Sequence, residues 1–270
     1  MSKLGIVIPL YNSSSFIKDV LTDLQNQTCK EFTCYIIDDG STDKPEKEIK
    51  PFLEDPRFRY TRISHSGVSV ARNKGIELVE EDYIYFCDAD DSLSPFLIER
   101  CMNILDQYPE IPLLTFGFCM QNPKGEIDCV FRGKEEGIYS GNITSYVAWA
   151  LWNRIFKKDF ILKHSLKFEE DIDYGEDLIY INEAYYYLCQ DHSFYIEIPD
   201  VLYHYQSKNF HSAVTKSTAL KEIFYEKRAK YMNRLKIFVQ NHPHNGVSRR
   251  IVNGINNPNS YEDSLAQQLR

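Results

Sequence analysis

Two clusters of aspartate follow apolar segments of the sequence. One apolar segment ends at Asp38 and Asp39, and another runs into Asp88-Ala-Asp90-Asp91. Carboxylates that are crowded in this way repel one another unless a cation, a proton or hydrogen bonds compensate. A hard divalent ion such as Mg²⁺ or Mn²⁺ takes oxygen ligands and brings phosphate oxygens with it. The clusters therefore predict a site at which a metal ion holds a phosphorylated ligand.

The elements that must position these clusters alternate between strands and helices. Short, nearly continuous apolar runs are typical of strands buried on both faces, and they occur at residues 4–9, 32–37, 83–87 and 111–116. Apolar residues at helical spacing lie between them, at residues 16–27, 68–79 and 95–105. This alternation predicts parallel strands with right-handed crossovers, and hence a Rossmann-like α/β sheet. Ligands bind such sheets at the carboxyl ends of the strands, where both acidic clusters fall.

A second interpretation of the clusters stays open at this point. Each is also compatible with a solvated acidic loop, and in the second cluster Asp91 or Ser92 would cap the following helix. Two clusters at matching strand ends favour the ligand site over this alternative.

The composition is that of an ordinary globular protein, with 43% hydrophobic and 26% charged residues in a chain of 270. The formal net charge of −8 argues against general nucleic-acid binding, which depends on Lys and Arg side chains that neutralise phosphates. Seven cysteines without a Cys-x-x-Cys pair favour a reduced, cytoplasmic compartment. We see no signal peptide and no apolar stretch of about 18 residues that would span a membrane.

Four segments follow one another across residues 4–98: Ile6-Val-Ile-Pro-Leu-Tyr-Asn12, Ile37-Asp-Asp-Gly-Ser-Thr-Asp43, Gly67-Val-Ser-Val-Ala-Arg-Asn-Lys-Gly75 and Asp88-Ala-Asp-Asp91. In order and spacing they resemble the motifs of family 2 inverting glycosyltransferases of the GT-A fold. The resemblance implies a mixed, mostly parallel Rossmann-like sheet with flanking helices and a C-terminal helical appendage. It also implies transfer of a sugar from a nucleoside diphosphate, on family grounds UDP, to a hydroxyl of a glycan or lipid-linked acceptor.

The resemblance assigns roles to residues of this first half. The nucleotide-sugar site would be lined by Pro9, Tyr11, Asn12, Asp39, Arg72 and Asp88. Asp90 would hold a Mn²⁺ or Mg²⁺ ion that bridges the diphosphate, while Asp88 would face the ribose or a metal-bound water. A diphosphate leaving group gains negative charge in the transition state, and a bound divalent cation stabilises that charge.

Two later segments extend the resemblance to the acceptor side. Ala150-Leu-Trp-Asn-Arg-Ile-Phe-Lys157 resembles a Trp-Asn-Lys-Leu-Tyr segment of many bacterial members, and Tyr174-Gly-Glu-Asp-Leu178 resembles their Glu-Asp signature. The family's general base falls on Asp177, with Trp152, Asn153 and Glu176 as acceptor-binding residues. An inverting transfer needs such a carboxylate to take the proton of the acceptor hydroxyl. From the residues alone, the acidic pair equally suits a helix N-terminus, and Trp152 equally suits a core.

The segment Tyr203-His-Tyr-Gln-Ser-Lys-Asn-Phe-His-Ser212 departs from the family's Tyr-x-Tyr-Arg pattern. Gln206 stands where an Arg is common, and Ser212 comes one residue later. We expect Lys208 to supply the missing positive charge to the nucleotide sugar, and His211 to reach the metal or the diphosphate.

Residues 216–240 predict one helix, with an apolar stripe formed by Leu220, Phe224, Tyr231, Leu235 and Phe238. The stripe suits packing on the catalytic domain or on a second subunit, and the basic residues between suit contact with anionic lipid near a lipid-linked acceptor. Packing is favoured, because ordinary surface helices share this pattern. We expect a catalytic domain at residues 1–215, with a nucleotide-binding half at 1–105 and an acceptor-binding half at 106–215, followed by a helix and tail at 216–270.

Two other functions compete with sugar transfer. Asp-x-Asp after an apolar strand is also typical of haloacid-dehalogenase-type phosphatases, but that motif follows the first strand, whereas Asp88 lies far along the chain. A catalytically silent module that binds a nucleotide or glycan need not keep both Asp90 and Asp177. The resemblance to family 2 therefore implies a metal-dependent hexosyl- or N-acetylhexosaminyltransferase of capsule, lipopolysaccharide or other surface-polysaccharide assembly. It would be cytoplasmic, or peripheral at the inner face of the plasma membrane.

Overall fold

The strands of this protein, in a computed structural model that describes residues 3–122, 124–133, 135–140, 150–206, 221–242 and 247, join in one sheet of ten. They are β1 (Leu4–Leu10), β2 (Phe32–Asp38), β3 (Phe58–Arg62), β4 (Tyr83–Phe86), β5 (Ser92–Leu93), β6 (Leu113–Gln121), β7 (Ile127–Phe131), β8 (Gly137–Ser140), β9 (Arg154–Lys157) and β10 (Phe194–Gln206). Their order across the sheet is β3-β2-β1-β4-β9-β6-β10-β5, with β7 beside β6 and β8 beside β10.

Helices cover both faces of the sheet. They are α1 (Ile17–Gln25), α2 (Glu46–Ile49), α3 (Val68–Leu78), α4 (Leu97–Gln107), α5 (Lys158–Lys163), α6 (Glu176–Gln190) and α7 (Lys221–Asn241), together with 3-10 helices at Lys50–Glu54 and Leu151–Asn153. One hydrophobic core joins α1 and α4 to the sheet, and a second core joins α3, α6 and α7 to it. Because successive strand residues point to opposite faces, β1 must be apolar at nearly every position: Ile6 enters the first core and Val7 the second.

The first half of the sheet is parallel, as the alternation of strands and helices predicts. In the order β3-β2-β1-β4 every neighbouring pair is parallel. Leu10 lies opposite Asp38, and Asp38 lies opposite Arg62, so β1, β2 and β3 end together. The loops that follow β1, β2 and β4 therefore leave the sheet along one edge.

β3 and β9 differ from the expectation. β3 is an additional strand at the outer end of the sheet, where only one neighbour pairs with it among the described residues. Its sequence, Phe58-Arg-Tyr-Thr-Arg62, lacks an apolar run because only Phe58 is buried. β9 is antiparallel to both β4 and β6 and lies between them, so β6 runs in the same direction as β4 without touching it.

α7 packs on the protein, which was the favoured interpretation of its apolar stripe. Tyr231, Leu235 and Phe238 are buried in the second core, where they meet α6. Leu220, the side chain of Phe224 and the domain boundary predicted at residue 215 lie outside the described residues. No helix in the described part of the chain is both long and apolar enough to cross a membrane.

Candidate active site at the carboxyl edge of the sheet

The loops after β1 and β2 are tied to each other at this edge. Pro9, near the end of β1, lies opposite Ile37 of β2. The backbone N–H of Asn12 donates to the Ser41 hydroxyl at 3.0 Å, and its Oδ1 accepts from the Thr42 backbone at 2.8 Å. These bonds hold Asn12 in a left-handed conformation, with φ of 50°. The start of the loop after β1 is therefore set by the loop after β2.

Asp38 supports this edge from inside the protein. Its buried carboxylate accepts hydrogen bonds from the Ser41 backbone at 2.8 Å, the Tyr60 hydroxyl at 2.6 Å and the Arg62 guanidinium at 2.7 Å. Burial opposes ionisation, but the hydrogen bonds from Ser41 and Tyr60 and the charge of Arg62 together hold the pKa of Asp38 below its usual value. Asp38 is thus a structural carboxylate that fixes β3 to β2.

Asp39 connects the same edge to the start of α3. Its Oδ1 accepts from the Ser66 backbone at 2.7 Å, and its Oδ2 accepts from the Gly67 backbone and faces Nδ1 of His65, both at 2.8 Å. The His65 ring in turn stacks on exposed Tyr11, with centroids 4.0 Å apart. The structure thus brings together two residues predicted to bind the nucleotide, Tyr11 and Asp39, through a histidine.

Arg72 joins two parts of the site that are far apart in the sequence. This buried side chain projects from α3, donating to Glu176 Oε1 at 2.8 Å and to Asp88 Oδ1 at 3.2 Å. Its guanidinium carbon also lies 5.3 Å from the ring centre of Phe168. Asp88 follows β4, whereas Glu176 begins α6, so one cation joins the carboxylates expected on the donor and acceptor sides.

Asp177 follows Glu176 in the first turn of α6. Its Oδ1 accepts from the Leu178 backbone at 2.8 Å. Burial, and then repulsion from Glu176, raise the pKa of Asp177 to about 7, against the opposing attraction of Arg72. The helix N-terminus that the residues alone allowed is present, and the pKa lies where a general base is most effective.

Asp91 differs from its neighbours in the second acidic cluster. It is buried, and it accepts hydrogen bonds from the Tyr203 hydroxyl and from the Gln206 backbone, the latter at 2.7 Å. Burial, and then the charges of Asp90 and Asp88, raise the pKa of Asp91 well above its usual value. The alternative in which Asp91 caps the next helix is therefore wrong, because α4 begins at Leu97 and Asp91 holds the end of β10.

Comparison with known proteins decides the family. The sequence model of glycosyl transferase family 2 matches residues 5–142. This chain belongs to glycosyl transferase family 2. Among its relatives, the uncharacterized glycosyltransferase YibD of Escherichia coli is 28% identical over 193 residues, which cover 67% of this chain and 56% of YibD. The chain spans little more than half the length of the first curated relatives that it matches, between 53% and 60%.

Solved structures confirm the GT-A fold expected of a family 2 member. Staphylococcus aureus TarS, residues 1–349, in complex with UDP-GlcNAc matches with a TM-score of 0.76 at 19% identity, over 95% of this chain and 72% of that one. The mannosyltransferase PcManGT of Pyrobaculum calidifontis, in complex with GDP-Man and Mn²⁺, matches with a TM-score of 0.62 at 13% identity, over 93% of this chain and 68% of that one.

The acidic side chains of this family 2 chain offer a divalent metal ion two carboxylate ligands. No group of three or more His, Cys, Asp or Glu side chains that could hold a metal occurs in the described ranges. Sites that bind Mg²⁺ with a phosphorylated substrate, however, need only one or two carboxylates, since phosphate oxygens and water complete the shell. Asp91 already accepts hydrogen bonds from Tyr203 and Gln206 of β10. The two carboxylates left for a metal are those of Asp88, whose side chain is 31% exposed, and Asp90.

The remaining predicted site residues occupy different surroundings. Trp152 stacks on Tyr203, with centroids 4.4 Å apart and planes within 7°. Asn153 is buried: its amide donates to the Phe116 carbonyl at 3.0 Å and accepts from Arg154. The acceptor roles of Trp152 and Asn153 stay predictions. Lys208 and His211 lie outside the described residues.

Sequence reasoning did not identify two residues that build this edge. Tyr203 holds Asp91, and His65 connects Asp39 to Tyr11. The Tyr-x-Tyr pattern of residues 203–205 drew attention to the right segment, but nothing in the sequence says which carboxylate a strand tyrosine will meet.

Proposed function

We propose that this protein is an inverting glycosyltransferase, which moves a sugar from a nucleoside-diphosphate sugar to a hydroxyl of a glycan or lipid-linked acceptor. The observation that carries the proposal is the bridge from Asp88 through Arg72 to Glu176. It brings a carboxylate suited to the diphosphate side next to the turn that holds Asp177. A module that only bound a nucleotide would need Asp88 and Arg72, but it would not need the turn that holds Asp177.

Donor binding is assigned to the edge formed by the loops after β1, β2 and β4. Pro9, Tyr11, Asn12 and Asp39 would line the nucleoside pocket, and Lys208 would supply positive charge to the nucleotide sugar. Asp88 and Asp90, with His211 as a further candidate ligand, would hold Mn²⁺ or Mg²⁺. When bound, such an ion would act as a Lewis acid that stabilises negative charge on the departing diphosphate.

Acceptor activation is assigned to Asp177. In the proposed step, the acceptor oxygen forms a bond to the anomeric carbon from the face opposite the diphosphate, whose own bond to that carbon breaks. The acceptor proton passes to the Asp177 carboxylate, and the nucleoside diphosphate leaves with its electron pair. A base with a pKa near 7 accepts this proton at neutral pH and releases it again.

The ligands bound to structural neighbours support a more specific proposal for the donor and the metal. A TarS structure is in complex with UDP-GlcNAc, which supports a UDP-sugar as donor and a hexosyl or N-acetylhexosaminyl group. The Mn²⁺ bound to PcManGT supports metal dependence. The proposed role of such a transferase is surface-polysaccharide assembly, with a lipid-linked acceptor at the inner face of the plasma membrane. A membrane contact or a homodimer through α7 would use its outward side, where Lys236 and Ile237 are exposed.

The direct test is a panel of UDP-, GDP- and dTDP-sugars, each incubated with Mn²⁺, Mg²⁺ or chelator, with release of the nucleoside diphosphate as the readout. We expect slow, metal-dependent hydrolysis of one nucleotide class. Asp177→Asn should keep donor binding, measured by calorimetry, and lose hydrolysis. Inorganic phosphate released from a phosphomonoester, with no nucleoside diphosphate from any donor, would instead indicate a phosphatase. Donor binding with no turnover would indicate a silent module.

A further inference from the structure

A dense run of acidic residues lies directly before the proposed base. Glu169, Glu170, Asp171 and Asp173 occupy four of the five positions from 169 to 173, which we call the acidic segment. Tyr174 and then Gly175-Glu176-Asp177 follow it. Carboxylates so close together repel one another unless cations or hydrogen bonds compensate. The conformation of the acidic segment, and of the turn that it leads into, must therefore be imposed by neighbouring elements.

One of these neighbours is α7. Lys227 forms an ion pair with Asp173 at 2.8 Å, and Arg234 forms one with Glu169 at 2.5 Å. Between them, the Lys230 ammonium donates to the backbone carbonyl of Asp171. Positions 227, 230 and 234 share one face of a helix, because they are spaced three and four residues apart. Three of the basic residues of α7 that suited a membrane surface are therefore directed at the acidic segment.

The same face of α7 also reaches the turn before the base. A Cβ atom placed on Gly175 would lie only 2.7 Å from Cδ1 of Tyr231, so the tyrosine ring rests against the glycine backbone. Gly175 has a φ of 81° and immediately precedes Glu176, the first residue of α6. Tyr231 itself is buried, which fixes the ring against this turn.

On its other side the acidic segment meets α3. Asn73 bonds to both backbone groups of Phe168, each at 2.9 Å, and also donates to Glu170 at 3.2 Å. One turn of α3 thus holds the start of the acidic segment, while Arg72 holds Glu176, three residues beyond its end. The segment and the base lie between a helix of the predicted nucleotide-binding half and the C-terminal helix.

We propose that α7 is a positioning element for the base: Lys227, Lys230, Tyr231 and Arg234 hold the acidic segment and Gly175 so that Asp177 faces the acceptor. These are positioning residues, since they act through the loop and not on the substrate. The proposal rests on the proposed function for the role of Asp177. It has a specific consequence, because the contacts described above run from these residues to the acidic segment and to Gly175: their loss impairs proton transfer and leaves donor binding unchanged.

The first test measures the segment itself. Lys227→Ala/Lys230→Ala/Arg234→Ala is compared with Lys236→Ala, which removes the same kind of charge from an exposed position of α7. In hydrogen exchange on the full chain, we expect amides of residues 169–178 to exchange roughly tenfold faster in the triple variant and at the parental rate in Lys236→Ala. Three contacts are removed together because each exposed ion pair contributes little by itself. Unchanged protection of that stretch would overturn the proposal, whatever the enzyme turns over.

The second test uses turnover, with UDP-GlcNAc and Mn²⁺ as the probe and water as the acceptor. The triple variant should lose kcat by roughly tenfold, with the KM for the donor unchanged and Lys236→Ala like the parent. Lys227→Asp should lower kcat, and adding Asp173→Lys should restore it by reversing the pair. A rise in donor KM, or no rescue by the reversed pair, would contradict a positioning role. If the parent hydrolyses no sugar nucleotide, the proposed function fails and the exchange result still decides this inference.

Discussion

Arg72 donates a hydrogen bond of 2.8 Å to Glu176 across a separation of 104 positions in the sequence. The same guanidinium reaches Asp88 at 3.2 Å. Arginine stays charged in proteins, so carboxylates from two separate elements share one buried cation. Asp177 adjoins Glu176. A change in the charge around Asp88 therefore affects the proposed base through the single side chain of Arg72. The two halves of the candidate site are thereby electrostatically coupled.

Replacing Arg72 tests this coupling. Arg72→Met leaves Asp88 and Glu176 without their cation, and we expect the free energy of unfolding to fall by about 3 kcal/mol. Arg72→Lys keeps the charge but cannot reach two carboxylates as a planar fork does, so it should regain part of the stability and little of the turnover. Urea denaturation and donor hydrolysis measure the two effects.

The matched control for Arg72 is Lys74→Met, which removes a cation from the exposed face of the same helix. Its unfolding free energy should stay within about 0.5 kcal/mol of the parent. Turnover of Arg72→Lys at the parental rate would show that the bridge is not needed.

The pKa of Asp177 predicts how turnover depends on pH. A general base acts only when deprotonated, and the pKa of Asp177 is raised to about 7 by burial first and then by Glu176. Donor hydrolysis should therefore increase between about pH 6 and about pH 8 and then level off. Asp177→Asn should lower it by a factor of about 100 to 10,000 at every pH. A flat profile for the parent enzyme would contradict the assignment.

The same shift has a consequence for stability with the opposite sign. The native state holds this proton more tightly than the unfolded chain, whose Asp pKa is about 3.9. The stabilisation by protonated Asp177 is therefore complete below about pH 4 and is lost as pH rises through about 7. Asp177→Asn cannot ionise, so its unfolding free energy should fall less than that of the parent over this range. Denaturant titrations at several pH values measure the difference.

Asp90 is predicted to be the main protein ligand of the metal. Asp90→Ala should weaken Mn²⁺-dependent binding of UDP by more than about 100-fold, since even outer-shell partners of a metal contribute 10–100-fold. Calorimetry with and without chelator measures this effect. Glu80→Ala removes an exposed carboxylate that pairs with Arg59 far from the acidic cluster, and it should bind as the parent does. Equal binding by the Asp90 variant would exclude Asp90 as a ligand.

The sequence predicts the inner strands better than the outer one, for a physical reason. β1, β2 and β4 are covered on both faces, so nearly every residue in them must be apolar. β3 lies at the outer end of the sheet, where the partly exposed side chains of Arg59 and Arg62 pair with Glu80 and Glu46, and its apolar content is too low to identify it. A strand buried on both faces needs a run of apolar residues, which the sequence shows. An outer strand can pair through its backbone without such a run.

The candidate site shows a similar division. Motifs placed Asp39 and Asp88 at strand ends, because a strand and the loop after it are local in sequence. The partners that decide what each carboxylate does are not local: Tyr203 meets Asp91 across 112 positions. Asp91 looks identical to Asp90 in the sequence, and only the folded chain shows that it holds a strand.

Tyr203 and Tyr85 make a matched pair for testing this tertiary contact. Tyr203→Phe removes the hydroxyl that donates to buried Asp91, which should lower the unfolding free energy by about 1–3 kcal/mol. The Tyr85 hydroxyl is also buried but has no hydrogen-bond partner among the described residues. Tyr85→Phe should therefore be neutral or stabilising. Equal effects in urea denaturation would mean that the bond to Asp91 contributes nothing.

Gly175 and Gly125 separate backbone strain from contact with α7. Both have positive φ, 81° and 79°, but a Cβ on Gly125 meets nothing within 4 Å, whereas one on Gly175 meets Tyr231. Gly125→Ala should destabilise by about 1 kcal/mol, through backbone strain alone, and keep full turnover. Gly175→Ala should destabilise by about 1–3 kcal/mol more, because the tyrosine ring must move, and should lower turnover as the proposed base shifts.

Removing the Tyr231 ring should abolish that excess. In a Tyr231→Ala background, Gly175→Ala and Gly125→Ala should destabilise by similar amounts, since only the backbone strain is left. A double-mutant cycle in urea isolates the interaction energy of Gly175→Ala with Tyr231→Ala, and we expect a coupling of about 1–3 kcal/mol. Simple additivity would instead mean that the ring does not press on the turn before the base, and α7 would then hold the acidic segment through its charges alone.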